Sequence, residues 1–207
     1  MNKETKRKYL AKAKDSFKTK KNIYFYYLAI ESEKHDDILA DFKKFKIEEN
    51  EDLVNKYTTE YWQYKLDEKI TGTTNKSVRE IEFLIKHLDA NYKNEIVKMR
   101  EDYVENFYKI FPLDDFEKLI DKDCCEYCGI TVTDVERLVE KHQLYKKSLR
   151  GWTLEIDRKN SNYEYTKDNC VMACYWCNNA KTDEFTYEEF KTIGKGIKKV
   201  WGSRLKK

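Results

Sequence analysis

Two cysteine pairs are the residues in this chain best spaced for chemistry: Cys125-Glu-Tyr-Cys128, followed by Gly129, and Cys174-Tyr-Trp-Cys177. Two thiolates separated by two residues can turn toward one ion, and two such knuckles complete the closed tetrahedral sulfur shell that structural Zn2+ favours. Four sulfurs leave no open coordination position, so this ion is expected to hold the fold rather than react. About 46 residues separate the pairs, more than in a compact zinc ribbon, which leaves room for an inserted helix and hairpin. Cys124 in place of Cys125 would widen the spacing to C-x-x-x-C, so Cys125 is the expected ligand. Cys124 and Cys170 read as small buried hydrophobes or spare thiols.

Between and across the knuckles run Leu154-Glu-Ile-Asp157-Arg158, then Asp168-Asn169, then Cys174-x-x-Cys177-Asn178-x-x-Lys181. Several motifs in this order resemble the zinc-containing HNH (His-Me finger, ββα-metal) endonucleases of phage, restriction and homing systems. The resemblance covers roughly residues 119–190, and nothing before Cys124 shares in it. By position, it implies that Asp157 is one ligand of a catalytic divalent ion and Asn178 a second. It further implies that Asn169 braces the loop and that Lys181 sits near a phosphate. The implied chemistry is physically coherent. Phosphodiester hydrolysis needs a hard cation at the scissile phosphate and the leaving 3′ oxygen, and an Asp carboxylate with an Asn carbonyl suits Mg2+ or Mn2+. Taken singly, each residue also has an ordinary structural use: Asp157 as a strand-end cap, Asn169 in an Asx turn, Asn178 as a helix cap, Lys181 as a solvated charge.

One position departs from the family pattern. The general base of these enzymes is the His after the metal-binding Asp, and this chain has Arg158 there. Arginine is always protonated and cannot take a proton from water. One reading is a degenerate module that binds nucleic acid without cutting it. The other is the branch of the family in which Asp-Arg replaces Asp-His and a tyrosine activates the nucleophile. Arg158 would then hold the scissile phosphate and stabilise transition-state charge. The active reading is favoured, because a decayed site is expected to lose more than one member. Tyr127 is the leading tyrosine, with Tyr145, Tyr163, Tyr165 and, through space, His142 as alternatives; the three histidines are His35, His87 and His142.

The elements that must position these residues are legible in outline. Thr133 with Glu136 reads as a capping box opening a helix to about His142, and Trp152–Asp157 and Asn169–Cys174 read as strands joined by a polar connection. Thr186 with Glu189 reads as a second capping box, starting a terminal helix toward Trp201. Upstream, residues 1–21 read as a basic arm or first helix, and helices are expected over Asn22–Phe45 and Glu51–Leu66. The cluster Thr71–Ser77 is a loop. An apolar stripe at Ile81, Leu84, Ile85 and Leu88 marks the next helix, and one from Tyr92 through Met99, Tyr103 and Phe107 to Ile110 marks a longer one. Pro112 stops that helix, and a short one is expected over Asp114–Lys122. At helical spacing the tyrosines are better suited to core packing than to base stacking.

Charged residues make up 38% of the 207 and aromatics 14%, with one Pro and six Gly, which fits a largely helical, solvated and ordered chain. The longest apolar stretch, Tyr24–Ile30, is far short of membrane length, and the N-terminus lacks the apolar segment of a secretory signal. A cytoplasmic setting, in a bacterial or phage-infected cell, is expected, where cysteines serve metals rather than disulfides. Residues 1–21 hold nine Lys/Arg against two acids and residues 190–207 hold seven against none, so both ends are candidates for phosphate contact. The stretch between Asn22 and Asp123 is acidic by about eight charges, which argues against a uniform DNA-gripping surface.

The expected fold is therefore α+β: residues 1–118 as a helical, tyrosine-rich region for dimerisation, DNA recognition or both, and residues 119–207 as a zinc-bound HNH module. The expected function is metal-dependent cleavage of double-stranded DNA, restriction-type, by a homodimer. A monomeric homing or nicking enzyme, a nuclease-dead DNA binder and a purely structural zinc module are the alternatives.

Overall fold

A computed structural model of the chain describes residues 2–31, 37–145 and 150–207. His35 and part of the helix expected over Asn22–Phe45 lie outside the described residues. Among the described residues the fold is α+β, mostly helical with one two-stranded sheet, and it divides into two compact units. One comprises residues 2–109 with 162–164, and the other residues 110–161 and 165–207.

The first unit opens with α1, Lys3–Glu31, which runs straight through the expected joint between residues 21 and 22. No Gly or Pro stands there to interrupt it, and its inner face is continuously aromatic through Tyr9, Phe17, Tyr24, Phe25 and Tyr26, all buried. Helices α2 (Ile38–Lys44) and α3 (Glu51–Lys56) follow. A π-helical stretch over Tyr57–Gln63 then leads into α4 (Tyr64–Thr71). The tyrosines pack as expected of a core: Tyr57 and Tyr61 stack at 5.4 Å and both meet Tyr26 edge-on. Gly72, at φ 70°, provides the left-handed turn that ends α4, and Asn75 caps α5 (Lys76–Asn91) by accepting from the amides of Ser77 and Val78. Helix α6 (Lys93–Glu105) brings Met99 and Tyr103 into the core against α1.

Helix α5 carries the expected apolar stripe, but little of it is covered within this unit. Leu84 is exposed, and Ile81, Ile85 and Leu88 are only half-buried; Val78 alone is buried on this helix. Residues 162–164, in the expected polar connection, group with this unit. Glu164 is 4% exposed within the first unit, where it accepts the Tyr103 hydroxyl at 2.7 Å. Burial holds its carboxyl above the usual range, and the buried Lys20 opposes that shift.

The second unit begins with α7, Leu113–Ile120, whose Phe116 and Leu119 are buried. Helix α8 spans Val132–Glu140, and its capping box is Thr131 with Asp134, not Thr133 with Glu136. The register is set upstream. Thr131 forms a bridge with Cys124, which fixes it in the extended conformation a cap requires, so the helix starts at Val132. Strands β1 (Glu155–Arg158) and β2 (Cys170–Ala173) pair antiparallel, with Glu155 opposite Ala173 and Arg158 opposite Cys170. Helix α9 (Tyr175–Lys181) follows β2 directly, and α10 (Tyr187–Leu205) starts at the expected Thr186–Glu189 box. The unit's core gathers Ile130, Val135, Leu138, Val171, Ala173, Phe190 and Trp201 around four cysteines. No described helix is long and apolar enough to cross a membrane.

Candidate active site

The four cysteines of the two knuckles come together. The first knuckle is a tight turn: Cys125 donates to the Ile130 carbonyl at 2.9 Å, Gly129 donates to the Cys125 carbonyl at 2.8 Å, and Gly129 takes φ 71°. Glu126 donates to the Met172 carbonyl at 2.8 Å, which fastens this turn to β2. The second knuckle straddles the start of α9, with Cys174 as its N-cap and Cys177 in its first turn. All four Sγ atoms lie within 4.8 Å of one another and all are buried, with Cys128 and Cys174 3.7 Å apart. A tetrahedral Zn2+ with sulfurs at ~2.3 Å spaces them about 3.8 Å apart, so the cluster fits that ion. The thiols compete for charge: S–H groups of Cys128, Cys174 and Cys177 push Cys125 well down, and the hydrogen bonds that Cys174 and Cys177 give to Cys125 push those two up. A dication lets all four ionise together. Cys124 is exposed, and Cys170 is buried on β2; neither belongs to the cluster.

Strand β1 and helix α9 face each other through two matched pairs. Side chains two apart on a strand share a face, as do those three apart on a helix. Glu155 and Asp157 on β1 accordingly meet Asn178 and Lys181 on α9. Asn178 Nδ2 donates to Glu155 Oε2 at 2.7 Å, and Lys181 Nζ stands 3.7 Å from Asp157 Oδ2. Lys181 was expected near a phosphate. Its side chain is 1% exposed, and its ammonium donates to the Arg158 carbonyl at 2.9 Å, so it ties α9 to the end of β1.

Asp157 has a second partner. The Tyr127 hydroxyl donates to Asp157 Oδ2 at 2.6 Å, joining the first knuckle to β1. Burial raises the Asp157 carboxyl above its usual range, against the pull of Tyr127 and Lys181. Burial, and then the hydrogen bond to the Asp157 carboxylate, pushes the Tyr127 phenol far above its ordinary value. The ring is held edge-on to Phe190 at 5.0 Å and beside Tyr187 at 5.9 Å. Gly194 makes this seat possible, because a Cβ there would lie 2.5 Å from the Tyr127 carbonyl oxygen.

The other candidates are placed elsewhere. Tyr145 is exposed beside Arg204, Tyr163 belongs to the first unit, and His142 is exposed just past α8. Tyr165 is buried with the Arg158 guanidinium 4.8 Å over its ring, an arrangement that orients the cation. Asn169 closes the loop between the strands from both ends: its Nδ2 donates to the Asn160 carbonyl at 3.0 Å and its Oδ1 accepts the Asn160 amide at 2.9 Å. Glu155 was not among the residues picked out from sequence. The signal was present, since alternation along Leu154–Arg158 puts it on the face of Asp157.

No protein-family model matches the chain. An uncharacterised protein of Acanthamoeba polyphaga mimivirus is 39% identical over 67 residues, which is 32% of this chain and 9% of that protein's length. Among solved structures, the chain is similar to the rare-cutting HNH restriction endonuclease PacI, at 27% identity and a TM-score of 0.38. That match spans 45% of this chain and 66% of PacI.

Proposed function

We propose that this protein is a metal-dependent HNH-type endonuclease that hydrolyses phosphodiester bonds of double-stranded DNA. The observation that carries the reading is Asp157. It stands at the end of a hairpin strand beside a four-cysteine staple, with the Tyr127 hydroxyl on its carboxylate and Asn178 on the adjoining helix. Asp157 and Asn178 would hold the ion through oxygens, a hard donor set that suits Mg2+ or Mn2+. Such an ion would supply charge neutralisation at the scissile phosphate and the leaving oxygen. Arg158, oriented by Tyr165, grips the phosphate through charge-assisted hydrogen bonds. The Tyr127 hydroxyl, held on Asp157 Oδ2, would take the proton of the attacking water on its oxygen and release its own to solvent, because the Asp157 carboxylate is committed to the ion. Lys181 holds the strand end in register, and Asn169 fixes the loop that follows. The exposed Lys195, Lys199 and Lys206 of the C-terminal segment offer phosphate contacts on the same unit.

The test is incubation of purified protein with supercoiled and linear DNA, in Mg2+ or Mn2+ and in EDTA. Discrete fragments that depend on the ion are the expected result. Nicked circles that never linearise favour a nicking or homing enzyme. Salt-sensitive binding without cleavage identifies a nuclease-dead binder, and absence of both leaves a structural zinc module.

Double-strand cleavage fits a homodimer, and α4 and α5 offer the surface for it. Leu66, Ile70, Phe83 and Leu84 are exposed there, with Ile70 at 81% and Phe83 at 69%. The two helices are tied together by Lys65–Glu82 and by the Asn75 amide on Glu68. A second copy laid antiparallel across α5 at Phe83 places Glu80 opposite Lys86 twice, so the face is complementary to itself. Sedimentation is expected to give twice 25.1 kDa, and Phe83→Glu, at an exposed site, to give a folded monomer. A wild-type protein that sediments at 25.1 kDa at all concentrations rules the dimer out.

A further inference from the structure

We infer that Glu155 sets the direction of the Asn178 side-chain amide, and thereby decides whether Asn178 offers an oxygen to a divalent cation. This rests on the reading of Asn178 as an ion ligand and adds to it a positioning residue.

A side-chain amide can turn either end toward a neighbour, and only one of its ends binds cations. The carbonyl oxygen is a ligand for Mg2+ or Mn2+, whereas the NH2 group is a donor that repels them. Asn178 therefore needs something to fix its orientation. Glu155 Oε2 accepts from Asn178 Nδ2 at 2.7 Å. An ionised carboxylate has no proton to give, so only the NH2 end of Asn178 satisfies it. Oδ1 then lies at the opposite edge of the planar amide, away from Glu155. Glu155 reaches Asn178 because strand alternation puts it on the face of Asp157, toward α9.

Arg150 removes the remaining freedom. Its Nη2 donates to Glu155 Oε1 at 2.8 Å, so both carboxylate oxygens carry donors. The guanidinium lies 5.1 Å over the ring of Tyr175, the first residue of α9. Gly151, at φ 91°, admits Tyr175 so closely that a Cβ would lie 3.1 Å from it. A glutamine at 155 has only one oxygen for these two donors. The cation of Arg150 takes that oxygen, and the new NH2 group faces Asn178. Asn178 must then present Oδ1 to residue 155 and its NH2 end to the ion. Glu155→Gln thus inverts the amide with almost no change in size.

The same logic supplies a rescue. With Glu155→Gln in place, Asn178→Asp gives the glutamine NH2 an acceptor and leaves a second carboxylate oxygen for the cation. The donor and acceptor have exchanged sides, and an oxygen faces the ion again.

The experiment is titration of Mn2+ into the full-length zinc-loaded protein, followed by the electron paramagnetic resonance of free Mn2+. Zinc content and melting temperature are checked for every variant. Glu155→Gln is expected to weaken Mn2+ binding ~10–100-fold, the range for outer-shell partners of metal ligands. Asn178→Ala is expected to weaken it at least as much. Glu155→Gln combined with Asn178→Asp is expected to return affinity to within roughly threefold of wild type, because an oxygen is restored at the ion. A double variant as weak as Glu155→Gln alone overturns the inference, since Glu155 would then act by some means other than orienting the amide. So does an unchanged affinity in Glu155→Gln when Asn178→Ala binds poorly; in that case the ligand reading stands and Glu155 has no part in it. Unchanged affinity in Asn178→Ala removes the ligand reading itself.

Discussion

Cys177→Ser is expected to unfold the C-terminal unit rather than soften it. The unit's sheet is two strands of four residues, too small to stand alone. Its core is built around the cysteines, with Cys125, Cys128, Cys174 and Cys177 packed against Tyr127, Val171, Phe190 and Trp201. Structural zinc in small modules contributes an apparent ~10–16 kcal/mol, as much as the whole stability of a typical domain at ~5–15 kcal/mol. A serine hydroxyl does not ionise at neutral pH and is a poor zinc ligand. Cys177→Ser should therefore lose zinc by elemental analysis and lose its cooperative melting transition. A strong chelator should do the same to the wild type on warming. Cys124→Ser, exposed and outside the cluster, should keep both metal and melting temperature. A Cys177→Ser protein that melts like wild type without zinc removes the staple as the basis of this fold.

Legibility in the sequence followed the range of the interaction. The knuckles were readable because two cysteines three positions apart report a local turn, and two such turns in one chain have few other uses. Thr186–Glu189 was readable because a capping box is complete within four residues. Thr131 and Thr133 both begin a plausible box, and the choice was made by the bridge from Thr131 to Cys124, a pairing no local pattern contains. The stripe on α5 shows that one face is apolar, but periodicity does not say what covers it. Lys181 is harder still. A lysine in a helix reads as solvated charge, and its burial depends on an acceptor 23 residues upstream, the Arg158 carbonyl. Glu164 was obscured for the same reason, since its partners Tyr103 and Lys20 come from the distant helices α6 and α1. Glu155 is legible only as far as its face: alternation sets it beside Asp157, but its partner Asn178 lies 23 residues downstream on α9.

Tyr127→Phe is expected to lower cleavage by ~10²–10⁴-fold, the usual weight of a positioned acid–base group. The ring is a packing element, held by Phe190 at 5.0 Å and seated over Gly194, and phenylalanine preserves those contacts. Only the hydroxyl is removed, the group that donates to Asp157 at 2.6 Å. Loss of that donor leaves a buried carboxylate with Lys181 at 3.7 Å, a change worth ~1–3 kcal/mol of stability and not enough to unfold the unit. Two roles for the hydroxyl then separate. If it only steadied Asp157, Mn2+ affinity and cleavage would fall together by a similar factor. A hydroxyl that accepts the proton of water loses turnover while Mn2+ still binds within about threefold of wild type. The second pattern is expected, with Asp157→Ala as the contrast in which binding and turnover both disappear. Cleavage within about threefold of wild type in Tyr127→Phe would take the proton-accepting role away from this residue. Arg158 could not inherit it, since a guanidinium holds its proton throughout the working range. Proton transfer would then fall to solvent, and Tyr127 would be left as the post that holds Asp157 upright.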